Sequence, residues 1–306
     1  MEYRQSKTAG DIFGLIYASG FGIDLKESNY YYIEDARSYL LIDKVGKGIK
    51  EMEKFQIIQI REQVYMIKDR AGCCVDLVTG KEHALVFDTG CGIDDLYGEI
   101  RKITDLPLLV INSHGHYDHI GGNYQFEKVY LHKKDMNLLK WYEIRDTREK
   151  LLELGETSVE GHASFLQQPW GNVCCLDFNE FDLGELPCKI VELSGHTAGS
   201  IGILIPELRL LLAGDALLPV ICLIFPNHMS REDQLEMLKK VKELEFDYYV
   251  TGHYIEVYEK SMIDELIQCI EESFEKKAYS YHYPGPYHEP GKICVGDAAR
   301  GIGLIY

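Results

Sequence analysis

Between Asn112 and Asn123 the chain reads Asn-Ser-His-Gly-His-Tyr-Asp-His-Ile-Gly-Gly-Asn, so that His114, His116, Asp118 and His119, all potential metal ligands, fall within a few positions. The cluster follows directly on Leu106–Ile111, a short apolar run of the kind that forms a fully buried strand. Polar groups at the end of such a strand are costly to bury unless a metal ion or solvent satisfies them. In an extended or turn segment His114 and His116 point to one side, while Asp118 and His119 diverge around a bend, which suits ligands for two adjacent ions. The spacing differs from the helical His-Glu-x-x-His site, whose histidines sit four apart on one helix face.

Further chemistry-bearing residues stand at the ends of other apolar segments, in Gly195-His196-Thr197, Gly214-Asp215 and Gly252-His253. A lone histidine is usually a packing or surface residue, but several polar residues at separate strand exits can converge on one face. The pattern predicts strands within Gln56–Ile67, Cys74–Val78 and Ala84–Phe87, then a helical stretch over Lys134–Leu154. A second set of strands is expected at Val173–Phe178, Cys188–Glu192, Ser200–Ile205 and Arg209–Ala213, with another ending at Thr251-Gly252-His253. Ser230 with Asp233 three residues on predicts a capped helix over Arg231–Glu245, and Ile263, Leu266, Ile267, Ile270 and Phe274 mark the buried face of another helix. Two runs of strands, each followed by helix, predict an α/β chain in which two sheets pack face to face with helices outside. Residues 1–50, punctuated by Gly10, Gly14, Gly20 and Gly22, read as an N-terminal elaboration packed on a main domain over 51–275. Residues 276–306 read as a C-terminal tail ordered on the surface.

These motifs together resemble the metallo-β-lactamase superfamily. The His-x-His-x-Asp-His signature is complete at 114 to 119, Phe87-Asp88-Thr89-Gly90 matches the family's supporting aspartate motif, and Gly195-His196-Thr197-Ala198-Gly199-Ser200 matches its third motif. Asp215 and His253 match the fourth and fifth, all in family order over about residues 55 to 275. The resemblance implies an αββα sandwich of two mixed sheets with helices on the outer faces and the site at one edge. It implies that His114, His116 and His196 bind one divalent ion, that Asp118, His119 and His253 bind a second, and that Asp215 bridges both. Asp118 and Asp215 are then the candidate catalytic residues, and Asp88, which in isolation reads equally as a turn cap, would hold the ligand loop. Zinc is the expected metal, with manganese and iron as alternatives that a mixed histidine and carboxylate set also accepts. Two divalent ions against two carboxylates and a shared hydroxide leave a mildly positive centre, and metal-bound water can be acidified to a pKa of about 7. The implied reaction is hydrolysis.

The leading expectation is therefore a dinuclear metallohydrolase in which metal-bound hydroxide attacks a small thioester, ester or lactone. The alternatives are hydrolysis of a small phosphodiester on the same ligand set, or iron-dependent redox chemistry on the same fold. Lactamases of the superfamily that use a cysteine on the second metal carry it where this chain has Asp215, so β-lactam hydrolysis is not expected. A net charge of -17, from 32 basic and 49 acidic residues, argues against long nucleic acids as partners and for a small-molecule substrate. The apolar run Leu217–Phe225 is a candidate for core, for a substrate pocket or for a homodimer contact, and Trp141, Tyr142, Trp170, Tyr254, Tyr281, Tyr283 and Tyr287 are candidates for the site edge. Nine cysteines without a CxxC pair, Cys91 among them, read as reduced core thiols, and His132 reads as a structural histidine. No stretch reaches the roughly 20 apolar residues of a membrane span, and no leader pattern opens the chain, so the expected location is cytoplasmic.

Overall fold

Short apolar strands whose alternate side chains are buried on opposite faces build the centre of the protein. The computed structural model describes residues 31–32, 54–283, 288, 290–297 and 300–306. The elaboration expected in residues 1–50 lies outside them, apart from the two-residue strand β1 (Tyr31–Tyr32). The first sheet orders β2 (Phe55–Arg61), β3 (Val64–Asp69), β4 (Cys74–Thr79), β5 (Ala84–Phe87), β6 (Leu108–Ile111), β7 (Val129–Leu131) and β8 (Val173–Cys175), antiparallel up to β5 and parallel from there on. The second sheet contains β9 (Glu180–Asp182), β10 (Pro187–Glu192), β11 (Ile201–Ile205), β12 (Leu210–Leu212), β14 (Tyr248–Val250) and β15 (Tyr258–Glu259). Its pairings are antiparallel except that of β12 with β14. The helices are α1 (Leu96–Arg101), α2 (Tyr117–Ile120), α3 (Leu138–Trp141), α4 (Ile144–Leu154), α5 (Arg231–Lys242) and α6 (Met262–Ser273).

Leu85 and Phe87 of β5 face inward and pack with Ile201, Ile203, Leu210 and Leu212 of the second sheet, so the two sheets share one core. Ala84 and Val86 face outward against Leu96 and Ile100 of α1. On the far side, Leu204, Leu211 and Tyr249 pack under Leu238 and Val241 of α5 and Ile263, Leu266 and Ile270 of α6. These layers are the αββα sandwich expected from the sequence. Among the described residues no helix is long and apolar enough to cross a membrane.

Three local expectations are corrected. The strand expected across Gln56–Ile67 folds as a hairpin, because Glu62 and Gln63 interrupt the alternation and form the turn between β2 and β3. The helix expected over Lys134–Leu154 is broken into a short 3-10 turn, α3 and α4, since Asp135 is drawn into the loops beside it and Tyr142 is buried in an extended conformation. The stretch expected to lie on the surface as a tail supplies strands instead. β16 (Tyr279–His282), β17 (Gly291–Val295) and β18 (Gly303–Ile305) form a third sheet with β1 at one edge and β13 (Val220–Cys222) at the other. Tyr281, Ile293 and Ile305 bury one face against Val220, Cys222 and Ile224, while Ile302 and Leu304 join the core beneath α6.

The Ser230 cap is present as a reciprocal box, in which the hydroxyl accepts from the Asp233 amide at 3.1 Å and the Asp233 carboxylate accepts from the Ser230 amide at 3.2 Å. Removing the hydroxyl in Ser230→Ala is expected to lower stability by about 1 kcal/mol in denaturant unfolding, with the m-value and metal content unchanged.

Candidate metal centre

Parallel pairing of β5 with β6, and of β12 with β14, sends the carboxyl ends of all four strands to one edge of the sandwich. Asp88 follows β5, the loop carrying His114 and His116 follows β6, Asp215 follows β12 and His253 follows β14. His196 arrives from the loop between β10 and β11. Backbone bonds tie these loops across the edge: the Ile201 amide donates to Ser113 O at 2.8 Å, Gly252 N to Gly214 O at 2.8 Å and Cys74 N to Gly252 O at 2.7 Å. Position 252 requires glycine because a Cβ there would stand 2.3 Å from Asp215 Oδ1 and 2.7 Å from the His119 ring.

The hydrogen-bond network sets the tautomers of the first three histidines. The Ser113 hydroxyl donates to Asp88 Oδ2 at 2.7 Å and therefore accepts from His114 Nδ1 at 2.9 Å. His116 Nε2 donates to Pro226 O at 2.9 Å, and His196 Nδ1 donates to Cys222 O at 2.8 Å. Each neutral ring then turns a bare lone pair inward. His114 Nε2 lies 3.0 Å from His116 Nδ1, which lies 2.9 Å from His196 Nε2. Converging lone pairs need a proton or a cation between them, and burial works against the proton. It pushes the His114 imidazole well below its ordinary value, lowers His116, and lowers His196 to about 4. The three nitrogens are thus suited to a cation, with outer bonds that orient each ring.

A second set adjoins the first. His119 Nδ1 donates to Asp88 Oδ2 at 2.9 Å, which leaves Nε2 facing Asp215 Oδ2 at 3.5 Å and Asp118 Oδ2 at 3.7 Å. His253 Nε2 stands 3.1 Å from Asp215 Oδ2 and 3.6 Å from Asp118 Oδ2. His119 Nε2 and Asp215 Oδ1 are buried without a hydrogen-bond partner, a costly state unless an ion satisfies them. Burial is the largest single influence and depresses His119 and His253, but the charge of Asp215 and the hydrogen bond to it, together with Asp118 and Asp88 at His119 and Cys73 at His253, outweigh it in sum and raise both well above their ordinary value. Burial raises Asp215 in turn, yet His253 and His119 hold its carboxyl well below the usual range. All seven residues expected to bind metal, His114, His116, Asp118, His119, His196, Asp215 and His253, therefore meet at one edge. The donor set fits two divalent ions: His114, His116 and His196 could hold one, Asp118, His119 and His253 the other, with Asp215 between them.

Two buried carboxylates shape this edge from outside. Asp88, at a left-handed φ of 69°, accepts from the Ser113 amide, the Ser113 hydroxyl and His119 Nδ1, so one side chain sets both ligand groups. Asp135 was not anticipated from the sequence. It accepts from Gly115 N at 2.9 Å, Thr197 Oγ1 at 2.7 Å, Gly199 N at 2.9 Å and Asn227 Nδ2 at 2.6 Å, which clamps the His114–His116 loop to the His196 loop. It sits in a segment whose periodicity reads as helix, so no local pattern marks it.

A cleft of about 270 Å³ opens over the cluster. Tyr142, Leu154, Leu218, Phe225, Tyr254 and Tyr283 give it an apolar and aromatic wall, and among the described residues Lys68 is the one lysine or arginine that lines it. Leu217–Phe225 thus serves both pocket and core: Leu218, Cys222 and Phe225 face the cleft, and Leu217, Ile221 and Leu223 are buried behind it. Of the other aromatic candidates, Trp141 is exposed, Trp170 and Tyr281 pack in separate clusters, and Tyr287 lies outside the described residues. His132 is half-buried and away from the cluster. All nine cysteines are unbridged, but Cys174 and Cys175 are not core residues, because β8 is an edge strand. Cys73 is buried in a packing cluster with Cys91, as the core reading expects, and in addition lines the cleft next to Asp118.

Comparison with known proteins shows the family and the fold. A model of the metallo-beta-lactamase superfamily matches residues 75–253. An acyl-coenzyme A thioesterase MBLAC2 of Bos taurus is 28% identical over 179 residues, covering 52% of this chain and 62% of the relative. The protein of the same name from Homo sapiens is 27% identical over 179 residues, with the same coverage. The match thus spans 62% of the length of these relatives. The crystal structure of the DIM-1 metallo-beta-lactamase superposes with a TM-score of 0.51 at 14% identity, over 73% of this chain and 100% of that chain, a likeness of fold alone.

His116→Ala and Asp215→Ala are each expected to lower bound metal in elemental analysis while far-ultraviolet circular dichroism stays unchanged. Asp135→Ala strands four donors, two of them backbone amides, and is expected to cost about 1–3 kcal/mol in denaturant unfolding and to lower metal content with it.

Proposed function

The chain belongs to the metallo-β-lactamase superfamily, and from that premise we propose that it hydrolyses small thioesters at a centre of two divalent ions, zinc foremost. The observation that carries this reading is the convergence of seven nitrogen and oxygen donors, five of which, on His116, Asp118, His196, Asp215 and His253, line a cleft with an apolar, aromatic wall. Curated relatives named acyl-coenzyme A thioesterases support the choice of a thioester over other acyl compounds. The chemistry is assigned to residues 51–275, with residues 140–172, 217–230 and 275–306 shaping the substrate side.

When bound, divalent ions supply Lewis acidity, which acidifies water toward neutral pH and polarises an acyl oxygen. The chain's own residues do the rest. Phe225, Leu218 and Leu154 offer the acyl group an apolar surface and exclude bulk water from the reacting carbon. Asp118 is the more exposed of the two site carboxylates, its side chain 21% accessible against 5% for Asp215, so it can take a proton from the incoming water and release it to solvent. Asp215, buried between His119, His253 and His196, holds its negative charge through the cycle and keeps the two ligand groups in register. A thiolate needs little protonation to depart, since an ordinary thiol has a pKa near 8.5. Among the described residues Lys68 is the one lysine or arginine lining the cleft, which suits a substrate with a modest negative charge.

Turnover of acyl-coenzyme A thioesters, followed by release of free thiol, is expected from protein loaded with zinc. It is expected to fall at least 100-fold, roughly, in Asp215→Ala, given what a group lost from a preorganised site costs. A lactone, an aryl ester and a phosphodiester measured beside it decide the substrate class. Turnover of the phosphodiester alone would overturn the thioesterase reading.

A further inference from the structure

Cys73 is buried in a packing cluster with Cys91, yet it also lines the cleft beside the metal centre. It closes the turn between β3 and β4, in which Asp69 Oδ1 accepts from Ala71 N at 2.9 Å and Cys73 N at 3.0 Å while Gly72 takes a φ of 96°. The other oxygen of Asp69 accepts from Cys91 N at 2.8 Å, so one carboxylate anchors the backbone of both cysteines. The neighbouring Cys74 behaves as a core residue and packs between the sheets. Cys73 instead points its Sγ at the metal centre, 3.7 Å from Asp118 Oδ2, with Cys91 Sγ at 3.8 Å on its other side.

Asp118 Oδ2 is the common point of the surroundings. It lies 3.6 Å from His253 Nε2, 3.7 Å from His119 Nε2 and 3.7 Å from Cys73 Sγ. One donor atom from each of Cys73, Asp118 and His253 falls within 4.8 Å of the other two. Sulfur at about 2.3 Å and oxygen at about 2.0 Å from one tetrahedral ion stand about 3.5 Å apart, close to the observed separation of Cys73 from Asp118. The independent sign of a ligand here is His119, fully buried, whose Nε2 aims at the same carboxylate and has no partner.

We propose that Cys73 is a further ligand of the ion held by Asp118, His119 and His253, giving that half of the centre a sulfur donor and a preference for zinc over manganese. The inference rests on the metal-centre reading above. A thiolate is a soft donor that favours zinc, whereas carboxylates and imidazoles alone leave manganese a competitor. Cys91 acts as a positioning residue, its S–H placed to donate to the Cys73 sulfur and orient it. Because Cys73 also lines the cleft, the sulfur stands on the substrate's side of that ion.

The test is the near-ultraviolet spectrum of the full chain loaded with cobalt(II) under a phosphine reductant, where thiolate ligation gives an intense charge-transfer band. The band is expected in the parent and in Cys91→Ser, and is expected to vanish in Cys73→Ser and Cys73→Asp. Zinc affinity of the weaker-bound ion is expected to drop in both Cys73 variants by at least the roughly tenfold that even an indirect ligand partner contributes. Cobalt retained with visible ligand-field bands but no charge-transfer band in the parent overturns the proposal and leaves the metal centre standing. A band that persists in Cys73→Asp overturns it equally. Failure of the parent to retain any divalent ion after dialysis overturns the metal centre itself, so the two failures are distinct. The parent spectrum is decisive alone should Cys73→Ser not fold.

Discussion

Three imidazole lone pairs facing one another across about 3 Å, in a buried cluster at the foot of the cleft, are the constraint around which the rest of this structure is arranged. Left alone they repel, and burial denies them the proton that would relieve the repulsion. They are held there by groups that do not touch one another: Pro226 O on His116, Cys222 O on His196, and the Ser113 hydroxyl, backed by Asp88, on His114. Each outer bond decides which ring nitrogen carries the proton, and so which way the bare nitrogen points. A structure that spends so many interactions on an unfavourable centre is one built to receive a cation.

The sandwich makes this affordable by separating what packs from what binds. The shared core between the sheets is wholly apolar at β5, β11 and β12, and the candidate metal ligands stand beyond the strand ends. Two pairs of parallel neighbours, one in each sheet, deliver those ends to the same edge. The loops are then fastened to each other, not only to their strands: Asp135 joins the His114–His116 loop to the His196 loop, and the Cys74 amide reaches Gly252 beside His253. Such cross-ties place donors from four separate segments with the precision that a shared ion demands.

The two halves of the centre differ in character. The histidine triad is nearly fully buried, with His116 and His196 at the foot of the cleft, while the half with Asp118, Asp215, His119 and His253 carries two carboxylates and exposes Asp118 and His253 to the cleft. Charge is thus concentrated on the substrate's side, where an acyl group would enter past Phe225 and Leu218. The third sheet belongs to the same design, because β13 and Tyr283 bring the chain's last residues against the cleft wall.

Much of the site was legible in the sequence, since His114, His116, Asp118 and His119 lie close together after an apolar run, and His196, Asp215 and His253 each end a segment that reads as a strand. The apolar strands were legible for the same reason: residues buried on both faces leave continuous runs, as in Ala84–Phe87 and Ile201–Ile205. What local pattern could not hold was anything set by a partner distant in the chain. Asp135 sits in a segment of helical periodicity, and its meaning comes from Gly115, Thr197, Gly199 and Asn227. Cys73 looks like any buried thiol until the turn at Gly72 aims it at Asp118. The residues after 276 looked like a tail because their apolar positions are few and broken by proline, and only the open edge of β13 makes strands of them. The sequence by itself determined which side chains could bind a metal and which strands would carry them, because donor type and burial are properties of short segments. The tertiary structure decided which of them meet, because the angle and distance between two donors are set by every element packed between them.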